Sequence, residues 1–390
     1  MVKSFQFSRL PKILFRQGAL EELPRIIKQY GNEILLVTGK SSFMQSVHYG
    51  RLSEDLRVQG IIFHLVQIGG EPSPDVVDSV IRQYSSKHID LVAGIGGGSV
   101  LDAGKAIAAM MYRSEPVSYF LEVVGTRQHP GTTLPFIAVP TTSGTGSEAT
   151  KNAVLSSVGE NGFKRSLRHD NFVPAIALVD PSLTINCPKN ITAASGMDCF
   201  TQLLESYLSD KAVEYTDALA LEGLKAIKTS LLRAYQDGTD IEARKGISFA
   251  ALTSGICLAN AGLGSVHGFA SSVGALFDIP HGVICGTLMA KANELNVREL
   301  RRNTVNKEAL MKYSLLGELF SSQTGKNDDF YIDFFISHLE ELTEKLKIPK
   351  LSEYDVTKGD FGKICKSTDI KNNPVKLSYD QLAEILTARI

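Results

Sequence analysis

Three side chains in the second half of the chain have the chemistry of a metal site. They are Asp198 in Ser195-Gly196-Met197-Asp198, His267 after Gly262-Leu263-Gly264-Ser265-Val266, and His281 after Asp278-Ile279-Pro280. One carboxylate and two imidazoles form the donor set of a catalytic divalent ion, which keeps a coordination position for a substrate oxygen. Asp198 reads as lying at a helix start. Taken one at a time, the residues also admit plainer roles, Asp198 as a helix cap and each histidine as a hydrogen-bonded core residue.

A second kind of chemistry is suggested by two turns in the first half. The apolar run Ile89–Ile95 leads into Gly96-Gly97-Gly98-Ser99 and then into Val100-Leu101-Asp102-Ala103-Gly104-Lys105-Ala106, which has helical spacing. A strand, a glycine turn and a helix N-terminus make an anion site, because backbone N–H groups and the helix dipole favour phosphate. The string is neither a Walker A loop, since Ala106 stands where a Mg²⁺-binding hydroxyl belongs, nor a G-x-G-x-x-G fingerprint. The second turn, Pro140-Thr141-Thr142-Ser143-Gly144-Thr145-Gly146-Ser147-Glu148-Ala149-Thr150, is a run of hydroxyls and glycines. Both turns follow buried strands, so both belong at the carboxyl edge of one sheet, where α/β folds bind ligands.

The elements that must position these residues follow from apolar periodicity. Glu33–Thr38, Ile61–Val66, Ile89–Ile95 and Leu134–Val139 read as strands. Pro72 and Pro74 open a helix over Asp75–Lys87, with Val76, Val77, Val80 and Ile81 on one face. Strands alternating with helices imply right-handed crossovers and a parallel, Rossmann-like sheet. After Asp180-Pro181 the strand signal fades. Cys199–Leu208, Thr216–Gln236 and Phe249–Ala261 read as helices. Phe335, Leu339, Leu342 and Leu346 form a core-facing stripe, and Ser378 with Gln381 forms a capping box with Leu377 and Leu382 as its staple. The expected architecture is an α/β nucleotide-binding domain over residues 1–182 and an all-α catalytic domain over 183–390, with a cleft between them. The basic segment Lys164–His169 reads as a solvated hairpin.

Composition narrows the function further. The chain has 390 residues, 41 Lys plus Arg against 42 Asp plus Glu, and a formal charge of −1. Without a basic excess, nucleic-acid binding is not expected. No apolar run reaches the ~18 residues of a membrane span, and Met1 to Arg16 lacks a signal-peptide core. Five scattered cysteines without a Cys-x-x-Cys suit a reduced, cytoplasmic compartment; of these, Cys199 beside Asp198 stands out.

These strings, together with Val179-Asp180-Pro181 and Gly196-Met197-Asp198, resemble the iron-containing (group III) alcohol dehydrogenase family across nearly the whole chain. The resemblance implies a dinucleotide-binding domain, a helical metal-binding domain and hydride transfer between a nicotinamide and a small alcohol or carbonyl substrate. It places the dinucleotide at Gly96–Ser99 (Gly96, Gly97, Gly98 and Ser99), Asp102, Thr141, Thr142, Thr150 and Leu183, and at the turn after the first strand, Gly39 and Ser41. Two departures stand out. Where iron-dependent members carry Asp-x-x-x-His, this chain has Gln202, which shares a helix face with Asp198 and is a poorer metal ligand. Where the second motif is usually His-x-x-x-His, Ser271 stands and becomes the candidate for proton handling. The remaining set, Asp198/His267/His281, resembles that of zinc glycerol dehydrogenases, so zinc and iron both fit. Many NAD-using members carry an Asp at the position of Gly39. Its absence beside Lys40, Ser41 and Ser42 leans toward NADP over NAD. A metal-free reductase resembling maleylacetate reductase, a dehydroquinate-synthase-like cyclase and a non-catalytic nucleotide-binding protein are the alternatives. A homo-oligomer such as a dimer is compatible with each.

Overall fold

The computed structural model describes residues 2–303, 306–370 and 372–390. Its elements fall into two compact units: one over Phe7–Ser157 with Lys164–Cys187, the other over Pro188–Ile390 with Val158–Phe163 and the N-terminal segment through Gln6. This differs from a single cut at residue 182, because the turn that follows the last strand stays with the sheet.

In the first unit the strands are β1 (Lys12–Phe15), β2 (Glu33–Gly39), β3 (Ile62–Ile68), β4 (Leu91–Gly96), β5 (Phe136–Pro140), β6 (Asn152–Ser157), β7 (Phe163–Arg168) and β8 (Ile176–Val179). Six of them form a sheet in the order β1-β8-β5-β4-β2-β3, and every pairing in it is parallel. Strand β2 sits between β3 and β4, with Leu36 opposite Leu65 on one side and Ala93 on the other. Ile34 to Val37, Leu91 to Ala93 and Ile137 to Val139 are buried, as expected where helices cover both sheet faces. The chain reverses direction across the sheet between β2 and β4, and the carboxyl ends of these strands are Gly39 and Gly96. A switch point of this kind opens the crevice in which α/β sheets bind ligands.

The helices of this unit are α1 (Leu23–Ile27), α2 (Val47–Val58), α3 (Pro74–Tyr84) and α4 (Gly98–Met110). Helix α3 starts where Ser73 accepts from Val76 N and Pro74 occupies the first turn. Val77, Val80 and Ile81 face the core, but Val76 is exposed. Strands β1 and β8 were not read from the sequence; both are only four residues long. Strands β6 and β7 form a separate two-stranded sheet. The basic segment in β7 is not simply solvated: Leu167 is fully buried and Lys164 pairs with Glu71 at 2.9 Å.

The second unit is helical: α5 (Lys189–Leu208), α6 (Glu214–Gln236), α7 (Ile241–Ala261), α8 (Ser265–Leu276), α9 (His281–Asn303), α10 (Lys307–Ser321), α11 (Asp328–Lys345), α12 (Phe361–Ser367) and α13 (Tyr379–Thr387). Phe335, Leu339, Leu342 and Leu346 are buried in the core that α5, α6, α7 and α11 share. Ser378 and Gln381 form the capping box of α13. Among the described residues, no single helix is long and apolar enough to cross a membrane.

Asp180 ties the sheet ends together. It is 1% exposed and accepts from Gly18 N, Leu20 N, Ser182 N and Ser182 Oγ at 2.6–3.1 Å. Asp180→Ala removes the acceptor of one buried donor, Leu20 N, and of three part-buried ones, at about 1–3 kcal/mol for each that water does not reach. It is expected to destabilise the sheet unit by about 3 kcal/mol, read as a lowered midpoint in urea.

Candidate active site

Helix α5 carries Asp198, Gln202 and Glu205 at i, i+4 and i+7, one polar stripe on an otherwise buried helix. Asp198 therefore lies midway along α5 rather than at its start; the helix begins at Lys189, behind Pro188, which cannot donate a backbone hydrogen bond. The carboxylate is 2% exposed, and the two histidines converge on it. His267 Nε2, from the first turn of α8, lies 3.2 Å from Asp198 Oδ1, and His281 Nε2, from the first residue of α9, lies 3.7 Å from the same oxygen. The two rings are 5.5 Å apart. Helix α9 approaches α5 closely through glycine: a Cβ on Gly282 would lie 2.2 Å from the Ala194 carbonyl oxygen.

Glu205 fixes the orientation of His267. Its carboxylate accepts from Val266 N at 2.7 Å at the head of α8 and lies 2.7 Å from His267 Nδ1. An ionised carboxylate only accepts, so Nδ1 donates, and Nε2, aimed at Asp198, is left to carry a proton or to offer its lone pair to a cation. Two acceptors 3.2 Å apart repel unless a proton or a cation lies between them. A tetrahedral ion with ligand bonds of ~2.0–2.3 Å separates its donor atoms by about 3.3–3.8 Å, close to the distances seen here. The donor set therefore fits a divalent ion, with Glu205 as the hydrogen-bonding carboxylate behind the imidazole. Charge follows the same logic. Burial pushes the Asp198 carboxyl up, but His281 and His267 outweigh it and hold it below the usual range. His267 is lowered by burial, yet Cys285, Asp198 and Glu205 raise it well above its ordinary value.

Gln202 lies beside this set, with its amide engaged by protein groups. Its amide oxygen accepts from Ser254 Oγ at 2.9 Å and its amide nitrogen faces Asp198 Oδ1 at 3.4 Å. An acceptor-only carboxylate turns the NH₂ toward itself. Ser271 is half-buried one turn beyond His267 on α8. Sequence reasoning overlooked Glu205 and Cys285. Cys285 lies four residues after His281, fully buried, and its Sγ groups with the donor atoms of Asp198, His267 and His281, all within 4.8 Å of one another. Burial pushes its thiol up to about 12. The i+7 spacing from Asp198 and the i+4 spacing from His281 were the available signals. Cys199 instead faces the helical core.

In the sheet unit the two loops pack on each other. Thr141 N donates to the Gly96 carbonyl at 2.9 Å, and a Cβ on Gly98 would lie 2.6 Å from Thr145, so only glycine permits this approach. Gly97, Gly98, Ser99, Thr141 and Thr142 remain half-buried, Gly39 is half-buried, and Ser41 is exposed. Of the two further residues expected at a nucleotide, Asp102 is half-buried and Thr150 is buried, and both have partners within the protein. Asp102 accepts from Ser147 Oγ and Val154 N. Thr150 Oγ1 accepts from Lys105 Nζ, which also donates to Ser147 and to the Asn152 carbonyl. Burial lowers Lys105 to about 8 against the pull of Asp102 and Glu148. Leu183, in the turn Pro181–Thr184, packs against the sheet core.

Comparisons with known proteins agree with this architecture. The model of the iron-containing alcohol dehydrogenase matches residues 11–181, and that of the Fe-containing alcohol dehydrogenase family C-terminal domain matches 192–390. The probable alcohol dehydrogenase EutG of Escherichia coli is 31% identical, covering 98% of this chain and 94% of its own. The NADPH-dependent butanol dehydrogenase of Clostridium saccharobutylicum is 28% identical, covering 96% of each. The crystal structure of a 1,3-propanediol oxidoreductase superposes with a TM-score of 0.88 at 27% identity, over 100% of both chains. The chain belongs to the iron-containing alcohol dehydrogenase family. It is an oxidoreductase acting on CH–OH groups, with small alcohols or aldehydes as substrates and with the metal and NAD(P) binding that the family implies. The cyclase and non-catalytic readings give way to this.

Glu205→Gln keeps the shape but removes the charge behind His267. Divalent-metal affinity is expected to fall about 10-fold or more, within the range for such partners, measured by competition with a chromophoric chelator. Elsewhere, Glu148 is 2% exposed, and burial pushes it up to about 7 from an ordinary 4.5. Between these values the folded chain holds a proton that the unfolded chain has lost, so stability falls as pH rises through that window. Glu148→Gln should flatten that slope, which amounts to up to about 3 kcal/mol at ~1.4 kcal/mol per unit, in urea unfolding at pH 5 and pH 8.

Proposed function

We propose that this chain reversibly reduces a small aldehyde or ketone to its alcohol in a metal-dependent reaction, with NADP(H) used in preference to NAD(H). The observation that carries the reading is the convergence of His267 Nε2 and His281 Nε2 on Asp198. A bound divalent ion supplies Lewis-acid polarisation of the substrate oxygen, and the nicotinamide supplies or takes the hydride. The protein's own groups position these partners. Asp198, His267 and His281 hold the ion, and Glu205 keeps His267 in the tautomer that leaves Nε2 free to bind. Gly97, Gly98 and Ser99, at the N-terminus of α4, receive the pyrophosphate, with Thr141 and Thr142 beside them. Ser271 passes the alcohol proton outward.

The cofactor preference rests on the end of β2. Gly39 offers no carboxylate to repel a 2′-phosphate, and a Cβ there would touch only Val100, at 3.9 Å, so the missing acid is not excluded by space. The neighbouring Lys40 is exposed and supplies a cation. The test is an aldehyde and ketone panel with NADPH and NADH on metal-loaded protein, in parallel with Gly39→Asp. We expect kcat/KM to favour NADPH and the substitution to shift the ratio at least tenfold toward NADH. A tenfold preference for NADH in the unaltered chain would refute the cofactor assignment. No turnover of any carbonyl by loaded protein would refute the reaction.

A further inference from the structure

We infer that Cys285 is a fourth protein ligand of the metal, so that this chain holds its ion on a carboxylate, two imidazoles and a thiolate. The inference rests on the metal-dependent reading above and deepens it. Its basis is geometric. His281 and Cys285 are i and i+4 on α9 and therefore share one face, the face that α9 turns toward Asp198. Cys285 Sγ lies 3.7 Å from His267 Nε2. That is the same edge length as His281 Nε2 to Asp198 Oδ1, 3.7 Å, and near that of His267 Nε2 to Asp198 Oδ1, 3.2 Å. With bonds of ~2.0–2.1 Å to nitrogen or oxygen and ~2.3 Å to sulfur, four donors around one ion give edges of about this size. The four ligand atoms all lie within 4.8 Å of one another.

Two further observations support the sulfur as a ligand rather than as core filling. On α5 the residue one turn past Asp198 is Gln202, whose oxygen lies 2.9 Å from Ser254 Oγ and whose NH₂ faces Asp198, an orientation that points no lone pair at the ion. Cys285 borders an apolar cluster, as Cys199 and Cys257 do, but its Sγ groups with the donor atoms of Asp198, His267 and His281, whereas Cys257 Sγ lies 3.8 Å from the Thr216 carbonyl. Binding replaces the S–H bond by a sulfur–metal bond and releases the proton to solvent. A thiolate makes the set softer and turns it toward zinc. Four protein donors leave a fifth position, an expansion that zinc sites allow.

The experiment uses the full chain loaded with Co²⁺ alone, then with Zn²⁺ alone. Co²⁺-loaded protein should show a sulfur-to-cobalt charge-transfer band in the near ultraviolet. Cys285→Ser and Cys285→Ala, checked for folding by circular dichroism, should still take up Co²⁺ through the other three ligands, lose the band and bind at least tenfold more weakly. X-ray absorption of the Zn²⁺-loaded unaltered chain gives a readout independent of any variant: one sulfur neighbour at about 2.3 Å is expected. A shell of nitrogen and oxygen only, Co²⁺ uptake without the band, or a band that survives in both variants overturns the inference while leaving the metal-dependent reading intact. Failure of the unaltered chain to take up either ion overturns both.

Discussion

A carboxylate buried in the middle of a helix is the constraint on which the catalytic unit is built. Asp198 is 2% exposed, and an ionised group at such a place costs several kcal/mol unless charge or hydrogen bonds compensate it. The compensation comes from two other helices. The first turn of α8 brings His267 and the start of α9 brings His281. Both contacts depend on where those helices begin. Glu205 supplies part of that control, since its carboxylate accepts from Val266 N and so anchors the head of α8 to the helix that carries Asp198. The same carboxylate then orients the imidazole. One glutamate thus sets a helix start, a ring orientation and a tautomer. The glycine at the start of α9 does comparable work by sterics, letting its backbone rest on the Ala194 carbonyl.

The sheet unit solves the opposite electrostatic problem. A site for phosphate needs positive potential without filled space, and backbone N–H groups at a helix N-terminus provide it. The side chains around the two loops accordingly serve the loops themselves. Lys105, buried beneath them, spends its ammonium on Ser147, Thr150 and Asn152, and Asp102 takes the Ser147 hydroxyl. These bonds hold the second loop against the first while leaving Gly97, Gly98 and Ser99 half-open. Residues whose motif suggests direct ligand contact can therefore act one step behind it.

This distinction explains what could be read from the sequence. Long apolar runs declared β2, β4 and β5, and the fold class followed from their alternation with helices, as the matching structures bear out. Strands β1 and β8 were invisible because four residues carry too little periodicity; they exist because they pair with each other. Val76 stands four residues before Val80, yet it lies in solvent while Val77 and Val80 are buried. In the site, metal-binding side-chain types marked Asp198, His267 and His281. Glu205 and Cys285 were missed because their importance lies in contacts across helices. Asp102 and Thr150 engage Ser147 and Lys105 within the protein, contacts that a residue type in a motif does not reveal.

The departures at Gln202 and Ser271 exchange one neutral group for another, so they change the donors of the site rather than its charge. The amide that turns its NH₂ toward Asp198 brings no charge of its own, so a divalent ion here meets a single anionic ligand on α5. In a buried site an uncompensated charge is expensive, so a second anion near the ion has physical value. Glu205 does not fill that role, because its own charge is already met at the head of α8, where the helix end carries about half a positive charge and its N–H groups donate. Among the described residues, the thiol of Cys285 is the acid that groups with all three ligands. As a thiolate it brings the ion and its direct ligands to neutrality, Asp198 and Cys285 together balancing two positive charges. Burial alone keeps that thiol protonated, with its pKa pushed up to about 12. The same burial that disfavours a lone thiolate strengthens its attraction to a cation, so proton and metal compete for one sulfur, and metal affinity in this chain is coupled to pH through it.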